Sequence, residues 1–198
     1  MNAIDRFDII LIQIRSNLHT IDALEKMSSG YINFDDFLRA QIVSIVSALD
    51  YYIHEKVRQE MLEIAIGSRA PGARFYSFSL TMQESIEHNN SVDSSWLDPV
   101  IKARHSWLSF QEPEKIKDAI GYIYSGHLWQ EVGRKMSMAQ DDVKIELKII
   151  VDRRNKIAHE ADFDPSVPGK RWAINRNDVD KVMNFIELLV RSIDTIVS

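Results

Sequence analysis

The sequence predicts an all-α protein, an antiparallel bundle of about four or five principal helices with short helical insertions. Three observations predict it. Apolar residues recur at three- and four-residue steps through most of the chain. Pro, Gly and Asn clusters fall between these periodic stretches. The 198 residues, 45% hydrophobic and 27% charged, suit one core rather than two, so residues 1–198 are expected to form a single helical domain.

The first helix carries Ile4, Phe7, Ile10, Leu11, Ile14, Leu18, Ile21 and Leu24 on one face and stops at Ser28-Ser29-Gly30. The second begins at Asn33, whose amide can cap, with Asp35 and Asp36 at the positive end of the helix dipole. Its stripe is Leu38, Ile42, Ile45, Leu49, Tyr52, Ile53, Val57, Met61 and Ile64. Residues 67–78 read as a loop around Pro71-Gly72. Thr81 and Glu84 have capping-box spacing for a short helix that Asn89-Asn90-Ser91 interrupts. Asp98-Pro99 reads as a cap followed by a first-turn proline, and Pro113 opens another helix through Ile116, Ile120 and Ile123. Gly126 separates it from Leu128, Trp129 and Val132. The third long helix runs from about Ala139, with Val143, Leu147 and Ile150 on its buried side. Residues 163–175 form a loop with two prolines, and Asn177 caps a last helix through Val179, Val182, Ile186, Leu189, Ile193 and Ile196. Tyr51, Tyr52, Trp96, Trp107 and Trp129 are expected to pack.

Composition excludes several function classes. With no cysteine there is no disulfide framework, thiolate zinc site or cysteine nucleophile, which suits a cytoplasmic location. The N-terminal stretch carries Asp5, Arg6 and Asp8 within its apolar pattern and lacks the features of a signal peptide. No apolar run approaches the length of a membrane span, so no membrane partner is expected. The net charge of −5 conceals a local excess: residues 144–176 hold eight cations against five anions, or +3, leaving −8 elsewhere. That asymmetry is compatible with a nucleic-acid surface, as it is with ordinary scatter of charge.

The chemistry concentrates in RRNKIAHEAD, Arg153 to Asp162. Arg154 is a permanent cation that can fork onto phosphate oxygens. Asn155 is a neutral donor and acceptor beside it, and His159 can move a proton near neutral pH. Arg154 continues the Val143–Leu147–Ile150 stripe, so it must be paired, snorkel, or face a cleft or a partner. At about 100° per residue, His159 lies about 140° from Arg154 around an ideal helix. Either the helix bends or ends between them, or a second copy of the motif meets the first across a two-fold axis. Arg and His at this spacing arise by chance about 0.4 times in a chain of this composition, so spacing alone does not identify an enzyme. A helix end with cations on its carbonyls would explain it equally.

The wider stretch IVDRRNKIAHEADFDPSVPGKRW, Ile150 to Trp172, resembles the signature of the HEPN superfamily, and most closely its RiboL-PSP-type domains. VSALDYYIHE (Val46 to Glu55) and SFQEPEKIKDAIGYI (Ser109 to Ile123) are similar to that family too. The family's Arg-Asn-x3-His core is matched by Arg154, Asn155 and His159. The resemblance implies an all-helical bundle, frequently a homodimer with the motifs at its interface, and in many members metal-independent endoribonuclease activity. Other members bind nucleotides or RNA without known cleavage. Some HEPN toxins carry a tyrosine, open to modification by a partner enzyme, two residues after the histidine; here that position is Ala161.

On that reading His159 is the general acid or base, Arg154 the phosphate ligand and charge stabiliser, and Asn155 an orienting group. Arg153, Lys156, Lys170, Arg171 and Trp172 are candidate RNA contacts, cations and an indole beside the motif. Trp172 can equally anchor its loop in the core. Asp50 and His54, four apart on the second helix, are candidates to support the motif from behind. No metal site, glycine-rich phosphate loop or cofactor motif is recognisable. The expected partners are RNA, a second copy, and an antitoxin or other defence protein. The alternatives are a non-catalytic module binding RNA, nucleotide or protein, and a helical scaffold in which Arg154 serves only a dimer contact.

Overall fold

The computed structural model describes residues 1–29, 31–88 and 94–198. They form eight α-helices: α1 Ala3–Ser28, α2 Asp35–Ala65, α3 Met82–His88, α4 Leu97–His105, α5 Pro113–Ile120, α6 Leu128–Met136, α7 Gln140–His159 and α8 Arg176–Val197. A single 3-10 turn lies at Phe75–Ser77. Among the described residues the only extended pairing is an isolated antiparallel bridge between Phe163 and Arg171. The expected all-α bundle is what forms, with α1, α2, α7 and α8 as its long members and the short helices between α2 and α7.

Side-chain pairs fix the directions. The Ala3 amide donates to Gln59 (3.1 Å) and the Asn17 side chain to Gln41 (3.4 Å), so α1 and α2 are antiparallel. Three ionic rungs, Arg191–Asp8, Arg15–Glu187 and Arg176–Asp22, set α8 antiparallel to α1. The Tyr52 hydroxyl donates to Asp194 (2.9 Å), and Lys56 also reaches Asp194 (3.3 Å), joining α2 to the end of α8. The apolar core is one cluster running from Ala3 to Val197.

Local chemistry sets the element ends. Asn2 and Asp5 form a reciprocal capping box at α1, and Ser29 closes it in the left-handed region (φ 50°). Thr81 and Glu84 exchange the two bonds expected of their spacing. Asn33 accepts from the Asp35 amide (2.7 Å), and Pro113 stands in the first turn of α5. The last helix starts earlier than its sequence suggests: Asn175, not Asn177, is the cap, in a box with Asp178. Both asparagines have an acidic residue three positions on, but Asp180, the one that would serve Asn177, is taken by Arg176, whereas Asp178 closes the box with Asn175. Asp98 does not cap α4, which begins at Leu97; its carboxylate instead takes Arg58 (2.6 Å) and Lys102 (2.7 Å). Leu24 is exposed, so the α1 stripe ends at Ile21. Trp107 is 81% exposed and does not pack as expected, because it follows α4 into a surface turn. The Asn89-Asn90-Ser91 interruption and Gly30 lie outside the described residues.

The insertion is tied down by backbone. Gly72 donates to the Tyr122 carbonyl (3.1 Å) and Arg74 to that of Gly121 (2.8 Å). A Cβ at Gly72 would meet the Tyr124 nitrogen at 2.4 Å, so this close approach requires glycine. Beside it, His105 is buried among Phe78, Phe110, Tyr122 and His54. Burial, aided by His54, holds its pKa down to about 4 from an ordinary 6.5.

Between those two values the unfolded chain binds the proton that the folded chain refuses. Stability should therefore fall as pH drops from about 6.5 to about 4, by about 3 kcal/mol from this ring, and lose nothing further to it below that. Denaturant titrations at pH 7 and near pH 4.5, on wild type and His105→Phe, check this. An equally steep loss in the variant would assign the effect to other groups.

Candidate functional site

Helix α7 begins with Asp141 and Asp142 in its first turn and runs unbroken through His159. The motif therefore keeps ideal helical phase. Val143, Leu147 and Ile150 are buried, and Arg154 continues their face. Its Nη1 donates to the Asn155 side-chain oxygen (2.9 Å), and its Nε is buried with no partner among the described residues. His159, the last helical residue, is exposed. The two side chains point about 140° apart, so one chain does not bring them together.

The stripe leading to Arg154 is filled by the chain's own core, so it is not the face a dimer could bury. The apolar surface left on α7 is Ile145 and Ile149, each 57% exposed. Helical phase puts them on the side of Lys156 and His159.

Beyond His159 the chain reverses sharply. Ala161 (φ 52°) and Asp162 (φ 61°) are both left-handed, a conformation that costs a residue with a Cβ about 1–2 kcal/mol. The amides of Glu160 (2.9 Å) and Asp162 (3.0 Å) both bond the Lys156 carbonyl and close the helix. The Asp162 side chain is 0% exposed. Its Oδ2 accepts from Arg39 Nε (2.7 Å) and Arg153 Nη2 (2.9 Å). The second fork of Arg39 donates to the Trp172 carbonyl (2.7 Å), and Arg153 also donates to that of Ala173 (3.2 Å). The Trp172 amide returns to the Asp162 carbonyl (2.9 Å). Arg171 donates to the Ala161 carbonyl (2.7 Å) and pairs with Asp36. That hydrogen bond from Arg171, with Arg39 nearby, holds the Asp36 carboxyl below its usual range. One buried carboxylate thus ties the start of α2, the end of α7 and both ends of the following loop.

The family model described as RiboL-PSP-HEPN matches residues 8–198. The chain belongs to that family. No curated protein and no solved structure matches it. In this HEPN chain, Arg154, Asn155 and His159 lie within the matched residues, at the end of the third long helix.

Of the candidate RNA contacts, the HEPN fold engages two in its own loop. Arg153 is held by Asp162 and the Ala173 carbonyl, and burial pushes its guanidinium below the ordinary value. Arg171 is held by Ala161 and Asp36. Trp172, 36% exposed, lies beside two cations: Arg153 Cζ is 5.9 Å and Lys156 Nζ 5.8 Å from its ring centroid. Lys170 is exposed, and neither it nor Lys156 makes an ion pair among the described residues.

Asp50 and His54 do not support the motif. Asp50 accepts from the Phe110 amide (2.5 Å) and the Gln111 side chain (3.3 Å), and the His54 ring packs on Phe110 (4.4 Å). They stand about 16–22 Å along α2 from Arg39, the residue that does reach the motif, and they anchor the insertion instead. Among the described residues no group of three or more His, Asp or Glu is placed to hold a metal.

Arg39 and Asp162 are functional neighbours of the motif that no sequence pattern pairs. A signal existed for the first: Arg39 sits between Leu38 and Ile42 on a helix otherwise apolar on that side. Removing either partner should leave an uncompensated buried charge. Asp162→Ala and Arg39→Ala are each expected to cost about 3–5 kcal/mol. Hydrogen exchange at the Asp162 and Trp172 amides should quicken well before the rest of the bundle opens. Unchanged protection at those amides would show that the loop is held by something else.

Proposed function

We propose that this HEPN chain is a metal-independent endoribonuclease acting as a homodimer, in the cytoplasm, as a toxin or antiviral defence component held in check by an antitoxin or other defence protein. The observation that carries the reading is Arg154: a half-buried arginine whose Nε has no partner among the described residues, oriented by Asn155, five residues before an exposed histidine. An arginine so placed is preorganised for an anion that the chain itself does not supply.

His159 takes the proton from a ribose 2′-hydroxyl, a nucleophile RNA carries and DNA lacks. The 2′-oxygen bonds to phosphorus, and the bond to the 5′-oxygen breaks. That oxygen leaves with a proton from a general acid, and the products are a 2′,3′-cyclic phosphate and a 5′-hydroxyl. Arg154 stabilises the charge that builds on the phosphorane oxygens. No step calls for a metal. Because the two groups diverge on one helix, the site takes Arg154 from one copy and His159 from the other, which meet where the ends of the two α7 helices come together. The same divergence favours the second reading, a HEPN module that binds RNA, nucleotide or protein without cutting.

Purified protein should cleave mixed RNAs in EDTA. Arg154→Ala should slow cleavage about 10²–10³-fold and His159→Ala about 10²–10⁴-fold, with His159→Ala unfolding near the wild-type temperature. Wild-type cleavage by folded His159→Ala would retire the enzyme and leave the binding module. Mixing the two inactive variants tests the shared site: exchange of subunits should restore up to about a quarter of wild-type activity, since half the dimers are mixed and each rebuilds one of two sites. No restoration, or a monomer by sedimentation, would overturn the composite site. Lys170→Ala should weaken RNA binding modestly and reduce its salt dependence, as removal of a phosphate contact does.

A further inference from the structure

We infer that Phe163 is a stacking platform for one unpaired nucleobase of single-stranded RNA, carried on a finger that the Asp162 cluster holds rigid. The inference rests on the reading that the motif acts on RNA. Phe163 is 51% exposed, four residues beyond His159. An exposed aromatic alone says little, since Tyr31, Tyr76 and Trp107 are more exposed still. What sets Phe163 apart is its mounting. It pairs directly with Arg171 across the antiparallel bridge, which places the two side chains on one face. Its immediate neighbour is the fully buried Asp162, and the opposite strand is bound through Arg39, Trp172 and Arg171.

The tip of the finger is braced as well. The Asp164 amide donates to the Lys170 carbonyl (2.9 Å), and the amide and hydroxyl of Ser166 donate to the Asp164 carboxylate (2.8 and 2.6 Å). A ring on such a mount loses little freedom when a base settles on it. The surroundings add cationic and aromatic surface. Lys156 and Lys170 make no ion pair among the described residues, although the Asp164 carboxyl, held below its usual range by its Ser166 hydrogen bonds, is also lowered by nearby Lys156. Trp172 offers a second half-exposed ring. Cations that follow a backbone beside aromatic faces are the usual construction for unpaired nucleic acid.

The test is binding of a labelled 2′-O-methyl oligoadenylate, which keeps its bases but lacks the attacking hydroxyl. Phe163→Ala should bind about 5- to 100-fold more weakly than wild type. Phe163→Trp should restore binding and Phe163→Leu should not, whereas a merely apolar packing role would accept leucine. An oligonucleotide with abasic positions should bind wild type and Phe163→Ala alike. Equal binding of oligoadenylate by wild type and Phe163→Ala, rescue by leucine, or no binding by wild type would overturn the proposal. So would loss of binding that tracks dissociation of the dimer in sedimentation. Phe163-dependent binding without cleavage of ordinary RNA would remove the nuclease reading alone, and cleavage with Phe163-independent binding would remove the platform alone.

Discussion

A carboxylate with no access to water has to be neutralised where it stands, and Asp162 is such a group. Left alone it would cost many kcal/mol to bury. Arg39 and Arg153 neutralise it, and in doing so they join the start of α2 to the end of α7 and the loop that follows it. The rest of the motif region depends on that arrangement. The two left-handed residues that turn the chain out of α7, Ala161 and Asp162, hold their conformation because the second has its side chain fixed by Arg39 and Arg153. The loop returns past Trp172 because Arg39 and the Asp162 carbonyl both grip its backbone. Arginine suits the position better than lysine: its fork reaches a carboxylate and a carbonyl at once, and it stays charged under burial.

The second constraint is helical phase. An unbroken helix cannot aim positions 154 and 159 at one point, whatever rotamers they adopt. The fold meets the two residues differently. Arg154 is drawn toward the core side and left with an unfilled donor, while His159 is placed at the tip, in water. Under the proposed shared site, an isolated chain would be inert and association would complete it, so the concentration of the protein would control its chemistry.

Much of this was legible in the sequence, and the reasons for success and failure are physical. Helical period and capping boxes act over three or four residues, so α1, α2, α5, α7 and α8 could be read directly. The family could also be read, because three separate stretches resemble it and its model matches residues 8–198; the Arg154–His159 spacing alone would not have sufficed. Partnerships across 123 residues, such as Arg39 with Asp162, leave no local trace. Asp50 and His54 misled for the same reason: their spacing fixes that they neighbour each other, and only the packing of the insertion decides that Phe110 is their third partner. Arg153 and Arg171 looked free because a cation in a list of residues has no visible anion. Asn175 and Asn177 offered two nearly equal starts for α8, and Asp178 decided between them.

The antiparallel seating of α1 against α8 has a mechanical consequence. Ala3 is held by Gln59 and Ser198 by Lys56, two positions less than a turn apart on α2. Both described ends of the chain therefore emerge together, about 25 Å along α2 from Arg39 and the motif. A force that draws those ends apart loads the two helices in peeling rather than in shear. The ionic rungs then open in sequence, Asp8–Arg191 before Arg15–Glu187 before Asp22–Arg176, with the motif end last to feel the strain.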